Sequence, residues 1–124
     1  FLIENEITRD AVLIEIKTPA TDLLGSEYRS GTYNVSRDLA GATQQVLTQR
    51  QTLNEEYRHL GGNPPDAFDS RCVVVAGNTD ELDNDAKRRS FELYRSSQSR
   101  ADVVTYDELF RKTRTLIDLL EGES

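Results

Sequence analysis

One cysteine and one histidine are all that the 124-residue chain offers of the two most versatile side chains. With Cys72 alone, no internal disulfide can close and no cysteine-based zinc site can be built. A single cysteine inside an apolar run reads as a small buried hydrophobe, and a reducing cytoplasm is its simplest setting. His59 precedes Leu60-Gly61-Gly62, where a histidine can cap helix carbonyls and meet the helix dipole favourably. Ser–His and Cys–His nucleophilic schemes therefore have little to work with. Methionine is absent, and the chain opens inside an apolar run at Phe1, which reads as a fragment of a longer protein. No apolar run approaches the roughly 18 residues that span a bilayer, and there is no signal-peptide pattern, so no membrane partner is expected. Neither Gly61-Gly62 nor Gly77 fits a phosphate-loop pattern. The acids Asp80, Glu81, Asp83 and Asp85 lack the glycine and terminal glutamate of a calcium loop and read as solvated loop.

What is present fits one soluble globular domain over residues 1–124 with one modest core: 36% hydrophobic and 30% charged residues. The net charge of −7 argues against a general nucleic-acid binder. Its distribution is uneven, however. Lys87, Arg88, Arg89, Arg95 and Arg100 are opposed only by Glu92, and a second basic run is Arg111, Lys112 and Arg114. Solvated helix faces account for such runs.

Asp10 to Lys17 is the strongest strand signal. Period two puts Val12, Ile14 and Ile16 on one face and Ala11, Leu13, Glu15 and Lys17 on the other. Phe1–Glu4 reads as its hairpin partner across a turn at residues 5–9, and Thr18-Pro19 ends the second strand. Residues 20–35 read as a loop anchored by Tyr28 and Tyr33. A long helix follows with Ser36 as N-cap and an apolar stripe of Leu39, Ala42, Val46, Leu53, Tyr57 and Leu60, stopped at Gly61-Gly62. Residues 71–76 are a continuous apolar strand, which predicts burial on both faces. A helix over about 84–98 should turn Ala86, Ser90, Leu93, Tyr94 and Ser97 inward. Ala101–Thr105 is a short strand. Thr105 and Glu108 form a capping box for a last helix whose buried face should be Leu109, Phe110, Thr113, Leu116, Ile117 and Leu120. The order predicts a mixed α/β sheet flanked by helices.

Glu15-Ile16-Lys17 is the sharpest chemical feature. Its two charged side chains share a strand face, about 6.6 Å apart along it. A strand beside a core rarely spends two successive same-face positions on opposite charges without a partner. On an edge strand the two would make only a weak surface pair.

The run IEIKTP, then DLAGATQQVL, VVVAGN, KRRSFELYR and VVTYDELF, in an order that covers most of the chain from residue 11 to residue 121, resembles the nuclease domain of Shedu anti-phage defence proteins. That family's nuclease is of the PD-(D/E)xK type, a restriction-endonuclease-like core with a mixed central sheet. The resemblance implies a DNA nuclease dependent on magnesium or manganese, and a homo-oligomer with a further N-terminal region. It implies Glu15 as the metal-binding carboxylate, the Ile16 carbonyl as a second metal ligand, and Lys17 as the catalytic lysine. It also implies Gln45, on the shoulder of its helix's apolar stripe, as the glutamine beside the site, with Gln44 as the rival. Arg37, Lys87, Arg88 and Arg89 would then contact DNA phosphates. The family's first acid should fall immediately before Phe1. Inside the chain Glu4 is the best substitute, since Asp10 points to the opposite face from Glu15. Without that acid the fragment should be weak or inactive. The competing reading is an inactive nuclease-like module that binds nucleic acid or assembles oligomers.

Overall fold

Period-two alternation does make a strand of Ala11–Ile16 (β2), and the rest of the sheet is built on it. The computed structural model describes residues 2–4, 11–59 and 71–122. Strand β1 (Leu2–Glu4) pairs antiparallel with β2, Leu2 opposite Leu13 and Glu4 opposite Ala11. A hairpin of β3 (Leu24–Arg29) and β4 (Thr32–Val35) follows, and then helix α1 (Arg37–His59). Strand β5 (Cys72–Val75) lies parallel to β2, and β6 (Ala101–Val104) lies parallel to β5, for a strand order β1-β2-β5-β6. Between and after these two come α2 (Asp85–Ser97) and α3 (Tyr106–Gly122). The result is the mixed α/β sheet that the element order predicts.

Helix α1 begins where Ser36 can serve both sides of the break. Its hydroxyl accepts the Leu39 N–H at 3.0 Å and donates to the Asp22 carbonyl at 2.5 Å. The stripe that follows works as far as it is described: Leu39, Ala42 and Val46 are buried against Leu13, Cys72, Val74, Ala76, Ala101 and Val103. Fully burying a side chain the size of Phe91 stabilises by roughly 1.5–3 kcal/mol, and Phe91 is completely enclosed in this layer. Burial pushes the Cys72 thiol up, although Arg50 opposes this. The thiol is therefore the small hydrophobe its setting predicts.

Several expectations are corrected. Residues 20–35 are not a plain loop: a two-stranded hairpin fills them, turning at Gly31 with φ 80°. In β3 only Leu24 is buried, and in the four-residue β4 the alternation is limited to Tyr33 and Val35, too short a pattern to read. Tyr33 packs on the core, but Tyr28 is exposed. In α2, Leu93 is 68% exposed and Ser97 is exposed, while Phe91 is the anchor. Ser90 and Tyr94 do turn inward, and Phe91 in place of Leu93 completes that face. Strand β5 is covered on both faces as expected, Cys72 and Val74 on one and Val75 on the other, with Val73 half-buried. Helix α3 has no buried residue at all. The turn at 5–9, Asp10, the Gly61-Gly62 stop and the side chains of Tyr57 and His59 lie outside the described residues. Among those described, no helix is long and apolar enough to cross a membrane.

Candidate functional site

Three parallel strands end on a common rim, reached by Glu15 and Ile16 at the end of β2 and by Lys17 directly after it. Glu15 stands opposite Val74 and Ile16 opposite Val75. The N–H groups of Leu13 and Lys17 donate to β5, to Arg71 at 3.1 Å and Val75 at 2.8 Å. Alternation then turns the Ile16 carbonyl to the other edge of β2, toward β1. Past Lys17 the chain is stitched tightly. The Thr18 carbonyl accepts from Gly77 and Thr21, both at 3.1 Å, and the Gly77 carbonyl accepts from Tyr106 at 3.0 Å. The Tyr106 hydroxyl donates to the Lys17 carbonyl at 2.5 Å. Gly77 is required here, with φ 66°: a Cβ would lie 2.6 Å from Leu23 Cδ2 and 2.7 Å from the Thr21 oxygen.

Glu15 and Lys17 are both half-buried, on the same face as the buried Leu13, whereas Ile16 on the opposite face is 50% exposed. Among the described residues no ion pair joins the two or ties either to another side chain. The weak surface pair that an ordinary edge strand would show is therefore not formed.

Other acids near the rim are already committed. Glu81 accepts the backbone N–H groups of Leu23 and Leu24 at 2.7 and 2.8 Å, and so is bonded rather than solvated as expected. Asp107 accepts the Thr79 N–H at 3.0 Å and also the Thr79 hydroxyl. Burial works to raise its pKa, but the hydrogen bonds from Thr105 and Thr79 outweigh this and hold it down at about 2. Glu108 receives the Thr105 N–H at 3.1 Å and the Thr105 hydroxyl at 2.9 Å, the return half of a capping box. It also pairs with Arg95 at 2.7 Å. No three of histidine, cysteine, aspartate and glutamate gather closely enough to hold a metal among the described residues.

The remaining expected residues are distributed as follows. Gln44 and Gln45 are both exposed, so Gln45 is not on a half-covered shoulder, and no hydrogen bond joins it to Glu15 or Lys17. Glu4 pairs with Ala11, four residues and about 13 Å along the strand from Glu15, which removes it as the substitute acid. Arg37 opens α1 and is exposed, as is Arg89 in the second turn of α2. Lys87 pairs with Asp83 at 3.1 Å and lies over the Tyr33 ring. Arg88 pairs with Asp85 and donates to the Leu82 carbonyl at 3.0 Å. Sequence reasoning missed Tyr106, Gly77 and the Thr79–Asp107 pair, because their partners lie far off in sequence.

A family model described as Shedu protein SduA, C-terminal, matches residues 1–110. The Shedu protein SduA of Bacillus cereus (strain B4264) is 47% identical over 131 residues, covering 98% of this chain and 34% of that protein. The chain thus spans about a third of the length of that relative. By both matches, the chain belongs to the Shedu SduA family and corresponds to its C-terminal part.

Proposed function

We propose that this chain is the catalytic part of a metal-dependent DNA endonuclease with a PD-(D/E)xK core, acting in bacterial anti-phage defence in the cytoplasm. One observation carries the reading: Glu15 and Lys17 are half-buried on one face of a strand at the sheet's rim, with no ion pair spent on each other or on a described neighbour. Leaving two charges half-desolvated without partners is costly, and a site that supplies a cation and a phosphate would offset that cost.

In this reading Glu15 and the Ile16 carbonyl would hold magnesium or manganese, which would supply Lewis-acid polarisation of the phosphate. Two oxygen donors fall short of the six such an ion takes, so the described residues form part of a site and a further acid is needed. Lys17 orients the attacking water and stabilises charge on the phosphate. Water oxygen bonds to phosphorus, one P–O ester bond breaks, and the leaving oxygen takes up a proton. Gln45 would steady that water; its exposure leaves it accessible, and the assignment rests on the resemblance. Arg37, Lys87, Arg88 and Arg89 would meet DNA phosphates near the rim, where the N-terminal turns of α1 and α2 add favourable dipoles. Lys87 and Arg88 would have to leave their present acids to do so.

A second reading is favoured by α3. Its exposed Leu109, Phe110, Leu116, Ile117 and Leu120 fit an inactive nuclease-like module that binds nucleic acid or assembles with a second copy. Plasmid cleavage by the full protein carrying this chain separates the two. Cutting in magnesium, abolished by EDTA and by Glu15→Ala, supports the nuclease. Cutting that persists in EDTA, or in Glu15→Ala, contradicts it, and salt-sensitive DNA binding without any cutting supports the second reading.

A further inference from the structure

The parallel ladder between β2 and β5 fails at one place, and a side chain 89 positions away repairs it. With Lys17 N–H bonded to Val75, a regular parallel ladder would bring the Gly77 N–H back to the Lys17 carbonyl. Instead Gly77, turned to φ 66°, donates to Thr18, one residue further on. The Lys17 carbonyl would be left without a ladder partner, and the Tyr106 hydroxyl takes it at 2.5 Å. Tyr106 is itself fixed, because its own N–H donates to the Gly77 carbonyl. Nor does α3 need the hydroxyl in order to start. Thr105 and Glu108 supply the cap, and Asp107 ties the first turn to Thr79.

We propose that Tyr106 is a positioning residue for Lys17: its hydroxyl sets the plane of the Lys17 peptide and thereby aims the lysine ammonium alongside the Glu15 carboxylate. The proposal rests on the nuclease reading above. Its physical basis is that Gly77 donates to Thr18 and not to Lys17, so the Tyr106 hydroxyl is the group that holds the Lys17 carbonyl. Small misplacements of a catalytic group are expensive, about a hundredfold in rate for roughly 1 Å.

The test is Tyr106→Phe in the full protein, which removes one oxygen and keeps the ring beside Phe110. Cleavage of supercoiled plasmid in magnesium is followed together with hydrogen exchange of the segment from Lys17 to Leu23. The expected result is a kcat lowered roughly tenfold, the scale of one lost hydrogen bond, with KM for DNA unchanged and faster exchange at Lys17–Leu23. Faster exchange with wild-type kcat overturns the positioning role and leaves Tyr106 a structural residue. A kcat loss matched by an equal rise in KM also overturns it. If the wild-type protein does not cut in magnesium, the nuclease reading fails and the positioning role falls with it, while the exchange result still reports whether the hydrogen bond exists.

Discussion

Helices α1 and α3 carry comparable apolar stripes and meet opposite fates. On α1, Leu39, Ala42 and Val46 are enclosed by the sheet. On α3, no residue is buried, and Phe110 and Leu120 are 65% and 68% exposed. Periodicity shows which face of a helix seeks a partner; it does not show whether the partner lies in the same chain. The difference starts with the connections. Helix α1 must cross the sheet to return the chain from β4 to β5, so its stripe meets the strands. Helix α3 follows the last strand, and its first turn is tied to Thr79, Arg95 and Lys17. The family match ends at Phe110, inside that first part of α3.

The contrast can be broken by substitution. Phe91→Ala and Leu39→Ala in the covered layer should each cost about 3–5 kcal/mol of unfolding free energy, measured by urea titration. A loss near 1 kcal/mol in either would mean that the layer is not closed as described. Next in size is Gly77→Ala, at the joint where all three parallel strands end. A Cβ there meets the Thr21 backbone oxygen as well as a side chain, so the loss should be about 2–3 kcal/mol. A neutral result would place Gly77 in another conformation.

The pin at the base of α3 has an acid signature. The Asp107 carboxyl is held at about 2, below its ordinary 3.8. A depressed carboxylate stabilises the fold above its unfolded pKa, so the contribution is complete above about pH 5. It is lost as pH falls through 3.8 toward 2, and amounts to on the order of 2 kcal/mol. Asp107→Asn should therefore lower stability at pH 7 and flatten its fall between pH 5 and pH 2. Parallel pH curves for the two proteins would count against the Thr79–Asp107 bond. The smallest effect is expected at the far end of α3, where Leu116→Ser or Leu120→Ser in the isolated chain should change stability by less than about 0.5 kcal/mol. If either costs 2 kcal/mol or more, a partner covers that face.

Much of the framework was legible in the residues. The alternation of β2, the Ser36 cap, the run of β5 and the Thr105–Glu108 box are local signals, each decided by a few neighbouring side chains. The β3–β4 hairpin was not legible, since its inward face is only Leu24, Tyr33 and Val35 and most of β3 is exposed. Nor was the role of Glu81, which looks like one solvated acid among four yet holds the start of β3 through two backbone N–H groups 57 and 58 positions away. Glu15 and Lys17 stood out because opposite charges on one strand face need a reason. Tyr106 did not stand out, because the carbonyl it serves is orphaned only by a shift in the ladder.

The central claim concerns Lys17, and Lys17→Met tests it most directly. The exchange keeps much of the aliphatic stem and removes the ammonium. Plasmid cleavage in magnesium and the thermal midpoint are measured on the same preparation of the full protein. The nuclease account predicts cleavage reduced at least a hundredfold, on the order of the general-catalysis contribution of one group, with the midpoint held within about 2 °C. Cleavage at the wild-type rate by a folded Lys17→Met protein would contradict it.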